Sequence, residues 1–160
     1  MGKVIVCHDK DGIEKEFDSD QFYFRPSVYG ILVEDGKVLM SRQWDGYDFP
    51  GGGMKKYETI EETLKREYWE EVGLEVRMKD LIYCDNSFYV RMNGEPVNAL
   101  TIYYMVEKIG GELGLKSADE LEKEYIGEPE WISLEKVNDI KIYNSINNKE
   151  LFKKVLKNNF

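Results

Sequence analysis

The sequence predicts an α/β domain of the α+β kind, a mixed β-sheet covered by helices, and three observations carry that prediction. Turn signals of the Asp-Gly or Asn-Gly type divide apolar or alternating runs, one capped amphipathic helix lies between the second and third of them, and another helical pattern closes the chain. The length of 160 residues suits a single domain over 1–160, with residues 1–20 as an extra N-terminal β-hairpin.

Taken in order, Asp11-Gly12 separates Val4–His8 from Glu14–Asp18, Asp35-Gly36 separates 28–34 from 37–42, and Asn93-Gly94 separates 86–92 from 97–107. Asp, Asn and Gly tolerate the positive φ of a tight hairpin turn, so each pair of runs reads as a hairpin. Asp9-Lys10-Asp11-Gly12 superficially matches the start of a calcium loop, but it lacks the further ligands and closing Glu, which leaves a turn. The helix spans 59–72. Thr59 is its N-cap, with Glu62 completing a capping box; Leu64, Tyr68 and Val72 recur as an apolar stripe, and Gly73 ends it. A charged loop over 110–127, a short strand around Trp131 and Ile132, and a helix over 149–157 follow.

Composition narrows the function classes. Hydrophobic residues make up 42% and aromatics 13%, which argues against intrinsic disorder. No apolar run approaches the ~18 residues of a membrane span. The start shows no signal-peptide layout, and Val6 breaks the myristoylation pattern. Cys7 and Cys84 have neither metal nor redox spacing and read as free thiols, so a cytoplasmic location is expected. The 22 Lys and Arg against 31 Asp and Glu leave a net charge of -9. That sign opposes binding of a long nucleic acid, whose affinity comes largely from phosphate neutralisation. Small phosphates are still accessible where a divalent cation bridges them to carboxylates.

The helix supplies such carboxylates. At 100° per residue, Glu70 lies about 60° to one side of Glu67 and Glu71 about 40° to the other, so all three project from one strip beside the apolar stripe. Like charges at these spacings cost roughly 0.2–0.5 kcal/mol each, which calls for a positive group nearby. Taken alone, three glutamates read more readily as a solvated acidic face. Immediately upstream, however, Pro50-Gly51-Gly52-Gly53 forms a loop whose backbone can approach a ligand closely, without the Gly-Lys-Ser/Thr of a P-loop.

From Gly52 through Glu58 to Arg66-Glu67-Tyr68-Trp69-Glu70-Glu71-Val72-Gly73-Leu74 the chain resembles the Nudix box of the Nudix hydrolases, G-x5-E-x7-R-E-U-x-E-E-x-G-U with U apolar. All the fixed positions match, an agreement expected by chance on the order of once in a million chains. Tyr68 departs from the usual aliphatic residue, which should alter only core packing. The resemblance implies an α/β/α sandwich with a mixed sheet, the box helix on one face and the C-terminal helix completing the fold. It implies Mg²⁺ as cofactor, with Mn²⁺ as the alternative, held by Glu67, Glu70, Glu71 and the carbonyl of Gly51, with Glu67 also serving as general base. Arg66 and Glu58 would be an ion pair that orients the catalytic carboxylates. The implied reaction is hydrolysis of a nucleoside diphosphate linked to X, with a small nucleotide as partner and a homodimer among its allowed assemblies. A nucleoside triphosphate is the favoured substrate; ADP-ribose, another nucleotide sugar or a non-catalytic sensing role are the alternatives.

Beyond the box the resemblance implies a further carboxylate ligand from the loop before the Trp131 strand, for which Glu124 has the expected offset and Glu122 and Glu128 are rivals. Arg42 resembles a phosphate-contacting arginine. Asn148, just before the final helix, resembles a purine-reading residue, with a helix N-cap as the competing reading. His8, distant from the box in sequence, reads as a surface or strand-end residue.

Overall fold

The computed structural model describes residues 2–120 and 122–158; Met1, Leu121 in the charged loop, Asn159 and Phe160 lie outside the described residues. Each expected hairpin forms. β1 (Val4–His8) pairs antiparallel with β2 (Glu14–Asp18) around Asp11-Gly12. β3 (Tyr23–Glu34) turns into β4 (Lys37–Gln43) through Asp35 and Gly36, both at positive φ (48° and 71°), the twist-matched geometry of a two-residue hairpin. Two short strands, β5 (Gly46–Asp48) and β6 (Gly51–Gly53), precede the helix α1 (Ile60–Val72). β7 (Leu74–Val90) and β8 (Pro96–Gly111) then form the third hairpin, and β9 (Ile126–Ser133) and the helix α2 (Asn148–Asn158) complete the chain.

Several elements outrun their sequence signals. β7 starts directly after the helix at Leu74, because irregular register at Glu75/Val76, Met78/Leu81 and Leu81/Tyr83 destroys the two-residue alternation by which a strand is read. β5 and β6 are three residues each and carry no apolar period at all.

The sheet runs in the order β2-β1-β7-β8-β3-β4-β5, with β6 paired to β3 and β9 to β4. β3 and β8 are parallel over 23–32 against 97–106, and β1 touches β7 in parallel at the single pair His8 and Tyr89, so the sheet is mixed. The helices cover two faces. Val28 and Leu32 of β3 pack with Leu64, Tyr68 and Val72 of α1, whereas Ile31 packs with Leu151, Phe152 and Val155 of α2. A strand buried on both faces has no polar side, and fully burying each such side chain contributes about 1.5–3 kcal/mol. Tyr68 adds more than packing. Its hydroxyl donates to the carbonyl of Gly30 at 2.8 Å, and a Cβ at Gly30 would collide with the Tyr68 ring.

The ends of α1 are closed as the sequence implies. Thr59 Oγ1 accepts from the Glu62 amide at 3.2 Å, and Glu62 Oε2 accepts from the Thr59 amide at 2.8 Å. Gly73, at φ 72°, donates to the Trp69 carbonyl at 3.1 Å. The loop beyond β8 then satisfies two more carbonyls: the Gly114 amide reaches Val72 and the Lys116 amide reaches Glu70, each at 2.9 Å. Cys7 is buried and Cys84 exposed, both as free thiols. Among the described residues no helix is long and apolar enough to cross a membrane.

Candidate active site

A cavity of about 910 Å³ lies against the sheet. Its floor follows the strand period on two strands, with Arg25 and Tyr29 of β3 and Thr101 and Tyr103 of β8 lining it because alternate residues share a face, while the end of β7 borders it continuously over 87–90. The parallel register sets Tyr29 beside Tyr103, and their rings stack with centroids 5.0 Å apart. Gly51 and Gly52 together with Glu67 and Glu71 supply another wall. Glycine is required at Gly51, where φ is 151° and a Cβ would meet the Val28 carbonyl and the Tyr29 backbone, whereas a side chain on Gly52 would displace the Glu67 carboxylate 2.7 Å away.

Arg66 organises the helix carboxylates. Its Nε and Nη2 donate to the two oxygens of Glu58 at 2.6 and 2.9 Å, a bidentate pair, while Nη1 donates to Glu67 Oε1 at 2.6 Å. Nη1 also lies 3.5 Å from Glu70, and Nη2 reaches the Gly53 carbonyl at 3.2 Å. This guanidinium is the positive group that the spacing of the glutamates calls for. It holds the Glu58 carboxyl down at about 2, and the carboxylates in turn raise its own pKa. Burial pushes Glu67 upward against the pull of Arg66. Glu71, 8% exposed, is pushed well above the usual carboxylate range by burial and then by the charge of Glu67. Its Oε2 accepts from Ser41 Oγ at 2.8 Å and from the Gly51 amide at 3.2 Å.

The structure thus brings together Glu58, Arg66, Glu67, Glu71 and Gly51, with Glu70 beside Arg66 but outside the cavity lining. Other expected residues fall elsewhere. Arg42 follows Ser41 on β4, and because Ser41 faces Glu71, Arg42 projects from the opposite side of the strand. There it donates to Tyr47 Oη at 3.0 Å and to Glu130 at 3.3 Å, and the arginines that line the cavity are Arg25 and Arg91. Glu124 is exposed at the end of a 3₁₀ turn over Glu122–Glu124, while Glu122 and Asp119 face the cavity. Successive residues of such a turn are about 120° apart, so Glu122 and Glu124 diverge. Asn148 is set back: it donates to Asn144 Oδ1 at 2.8 Å, and it is Asn144 that lines the cavity. Nor is it the N-cap. Asn147 Oδ1 accepts from the Glu150 amide at 3.2 Å. His8, remote in sequence, lines the same cavity as Glu67.

Sequence reasoning missed Asp48. It is 6% exposed, lines the cavity, and its Oδ1 accepts from the Phe49 amide at 2.8 Å and from Asn144 Nδ2 at 3.2 Å. Burial pushes its carboxyl up to about 7. Its place in a three-residue strand offered no pattern to read. Arg25 was hidden by the early start of β3, although Arg25 and Tyr29 do share a strand face.

The donor set suits a hard divalent cation. It consists of carboxylates and backbone oxygen, and Glu67 and Glu71 are buried carboxyls whose ionised form a cation would stabilise. Among the described residues no group of three or more carboxylate, thiol or imidazole side chains forms a ready-made cage.

A family model described as the NUDIX domain matches residues 23–155. An RNA pyrophosphohydrolase of Stutzerimonas stutzeri (strain A1501) is 33% identical over 134 residues, covering 72% of this chain and 79% of that one. An ADP-ribose pyrophosphatase of Methanocaldococcus jannaschii is 29% identical over 108 residues, 62% of each chain. Among solved structures, a MutT protein from Methanosarcina mazei Go1 superposes with a TM-score of 0.65 at 21% identity, covering 87% of this chain and 97% of that one. A mutator MutT protein from Bacillus halodurans gives a TM-score of 0.59 at 29% identity, covering 82% of each.

Proposed function

The chain belongs to the NUDIX family, and from that premise we propose that the Glu67 wall of the cavity hydrolyses the phosphoanhydride of a small nucleotide, a nucleoside triphosphate first. The family and its pyrophosphohydrolase relatives make the chain a nucleotide pyrophosphohydrolase. Family members generally use a divalent metal. Mg²⁺ is the ion proposed here, with Mn²⁺ as the alternative. Glu67, Glu70, Glu71 and the Gly51 carbonyl would hold it. When bound, the cation neutralises phosphate oxygens and lowers the pKa of an attacking water.

The chain's own groups do the rest. Phosphoanhydride cleavage needs little covalent help and depends on position and charge. Arg66, clamped by Glu58, fixes the Glu67 carboxylate at the cavity edge. Ser41 and the Gly51 amide fix Glu71 beside it. Held by Arg66 and lining the cavity, Glu67 is placed to take the proton of the nucleophilic water. Arg25 lines the same cavity and offers a guanidinium to phosphate oxygens. The observation that carries the reading is the Glu58–Arg66–Glu67 clamp set against the glycine turn.

Phosphate release against a panel of nucleoside triphosphates, oxidised purines included, ADP-ribose and dinucleoside polyphosphates tests it, with Glu70→Gln as the control. In that variant kcat should fall by at least ~10² under saturating Mg²⁺; retention of more than half the activity would refute the assignment. A tenfold preference for ADP-ribose, the alternative that the Methanocaldococcus jannaschii relative favours, would replace the substrate and keep the machinery. The Stutzerimonas relative adds a 5′-triphosphorylated RNA to the panel, against which the net charge of -9 argues.

A further inference from the structure

The N-terminal hairpin lies outside the matched family segment, which begins at residue 23, yet it borders the cavity. Its sheet link is slight, the one pair His8 and Tyr89, and from there the turn after β1 brings Lys10 to 5.9 Å from the Trp44 ring. Trp44 itself is held in an uncommon way. It sits in the two-residue turn between β4 and β5 at φ 46°, a left-handed conformation that a bulky side chain adopts only when its surroundings demand it. Those surroundings are aromatic. The Trp44 amide donates to the Tyr125 carbonyl at 2.8 Å, its ring stacks on Tyr125 with centroids 4.5 Å apart, and Tyr143 tilts against it at 4.6 Å. Lys141 Nζ lies 4.5 Å from the Tyr143 ring, and Asp45 accepts from both Tyr143 and Lys141, which ties the turn down. Trp44, Tyr125, Tyr143, Lys10 and Lys141 all line the cavity that Glu67 and Glu71 line.

We propose that the aromatic cluster of Trp44, Tyr125 and Tyr143 is the wall on which the substrate's nucleobase stacks, and that Lys10 of the N-terminal hairpin, whose ammonium lies over the Trp44 ring, contributes to that base subsite. This rests on the nucleotide reading above and adds the part of the substrate that the carboxylates do not address. Flat π-surfaces bind any base face without hydrogen-bond readout, and cations over the rings add attraction for an electron-rich heterocycle.

The test separates base from phosphate. Binding of guanosine and adenosine monophosphates, and of inorganic pyrophosphate as the base-free control, is measured by calorimetry with Mg²⁺ on the full chain, as wild type, Trp44→Asn and Lys10→Gln. Asn tolerates positive φ, so Trp44→Asn removes the ring without asking the turn to change, and Lys10 is an exposed side chain whose replacement leaves folding intact. Trp44→Asn should weaken both monophosphates at least tenfold and Lys10→Gln about threefold, with pyrophosphate unchanged in each. Unchanged monophosphate binding in Trp44→Asn, or an equal loss for pyrophosphate in Lys10→Gln, would overturn the proposal. Base-dependent binding without hydrolysis of any nucleotide would instead sink the proposed reaction and leave the stacking wall standing.

Discussion

Asp48 gives the sharpest test of the electrostatics of the cavity. Its Oδ1 takes both hydrogen bonds, from the Phe49 amide and from Asn144, so Asp48→Asn keeps the acceptor and swaps the second oxygen for an amide. Burial holds the folded carboxyl at about 7, opposed by those two bonds and by the charge of Arg25, against an ordinary value of 3.8. Between those two values the acid is protonated in the folded protein and ionised in the unfolded one. Unfolding then releases a proton, and stability falls as pH rises through the window. Each step of one in pH costs about 1.4 kcal/mol, for a total of about 4 kcal/mol lost by the time pH passes 7. Asn does not titrate. Urea unfolding in metal-free buffer at pH 4, 5.5 and 7.5 should show the variant gaining on wild type by up to about 4 kcal/mol across the series and becoming the more stable of the two at pH 7.5. Glu67 and Glu71 are also raised by burial and slope the same way, and because the charge of Asp48 helps to raise Glu71, Asp48→Asn also eases that carboxyl and adds to the difference in the same direction. A difference between the two proteins that stays constant from pH 4 to 7.5 would refute the reasoning.

Two further outcomes follow from the packing of α1 and from its carboxylates. Tyr68→Phe removes a buried hydroxyl and leaves the Gly30 carbonyl without that donor, so it should cost about 1–3 kcal/mol at unchanged m-value, and a change below about 0.5 kcal/mol would show the bond to be dispensable. Mg²⁺ should raise the Tm of wild type by preferential binding to the folded chain, and Glu67→Gln or Glu71→Gln should shrink that rise; equal shifts in all three would count against the carboxylate site.

The functional proposals divide the cavity between chemistry and recognition. The clamp on Glu67 and the Gly51–Gly53 strand occupy one wall, and the aromatic turn occupies another. The sheet floor that joins them is lined by Arg25, Tyr29 and Tyr103. The clamp depends on residues close together in the chain, whereas the aromatic wall draws Trp44, Tyr125 and Tyr143 from three separate segments, with Lys10 added from a fourth.

What the sequence determined by itself was local. The capping box at Thr59, the Gly73 stop, the three hairpin turns and the strip of glutamates are all relations between residues a few positions apart, set by backbone geometry and charge, and each appears in the structure where the spacing puts it. The Glu58–Arg66 pair came from the resemblance to the Nudix box, and the structure adds the bond from Arg66 to Glu67. Tertiary structure decided which side each remaining residue faces. Arg42, Glu124 and Asn148 sit at the expected positions in the chain, yet strand alternation, a 3₁₀ turn and an interposed Asn144 keep all three out of the cavity. Asp48 and Arg25 enter it from strands too short or extending too far beyond their signal to be read, and Trp44 and Lys10 from turns distant in sequence from the box. The physical reason is that direction is decided by pairing and packing across the sheet, and a shift of one residue in a strand reverses it.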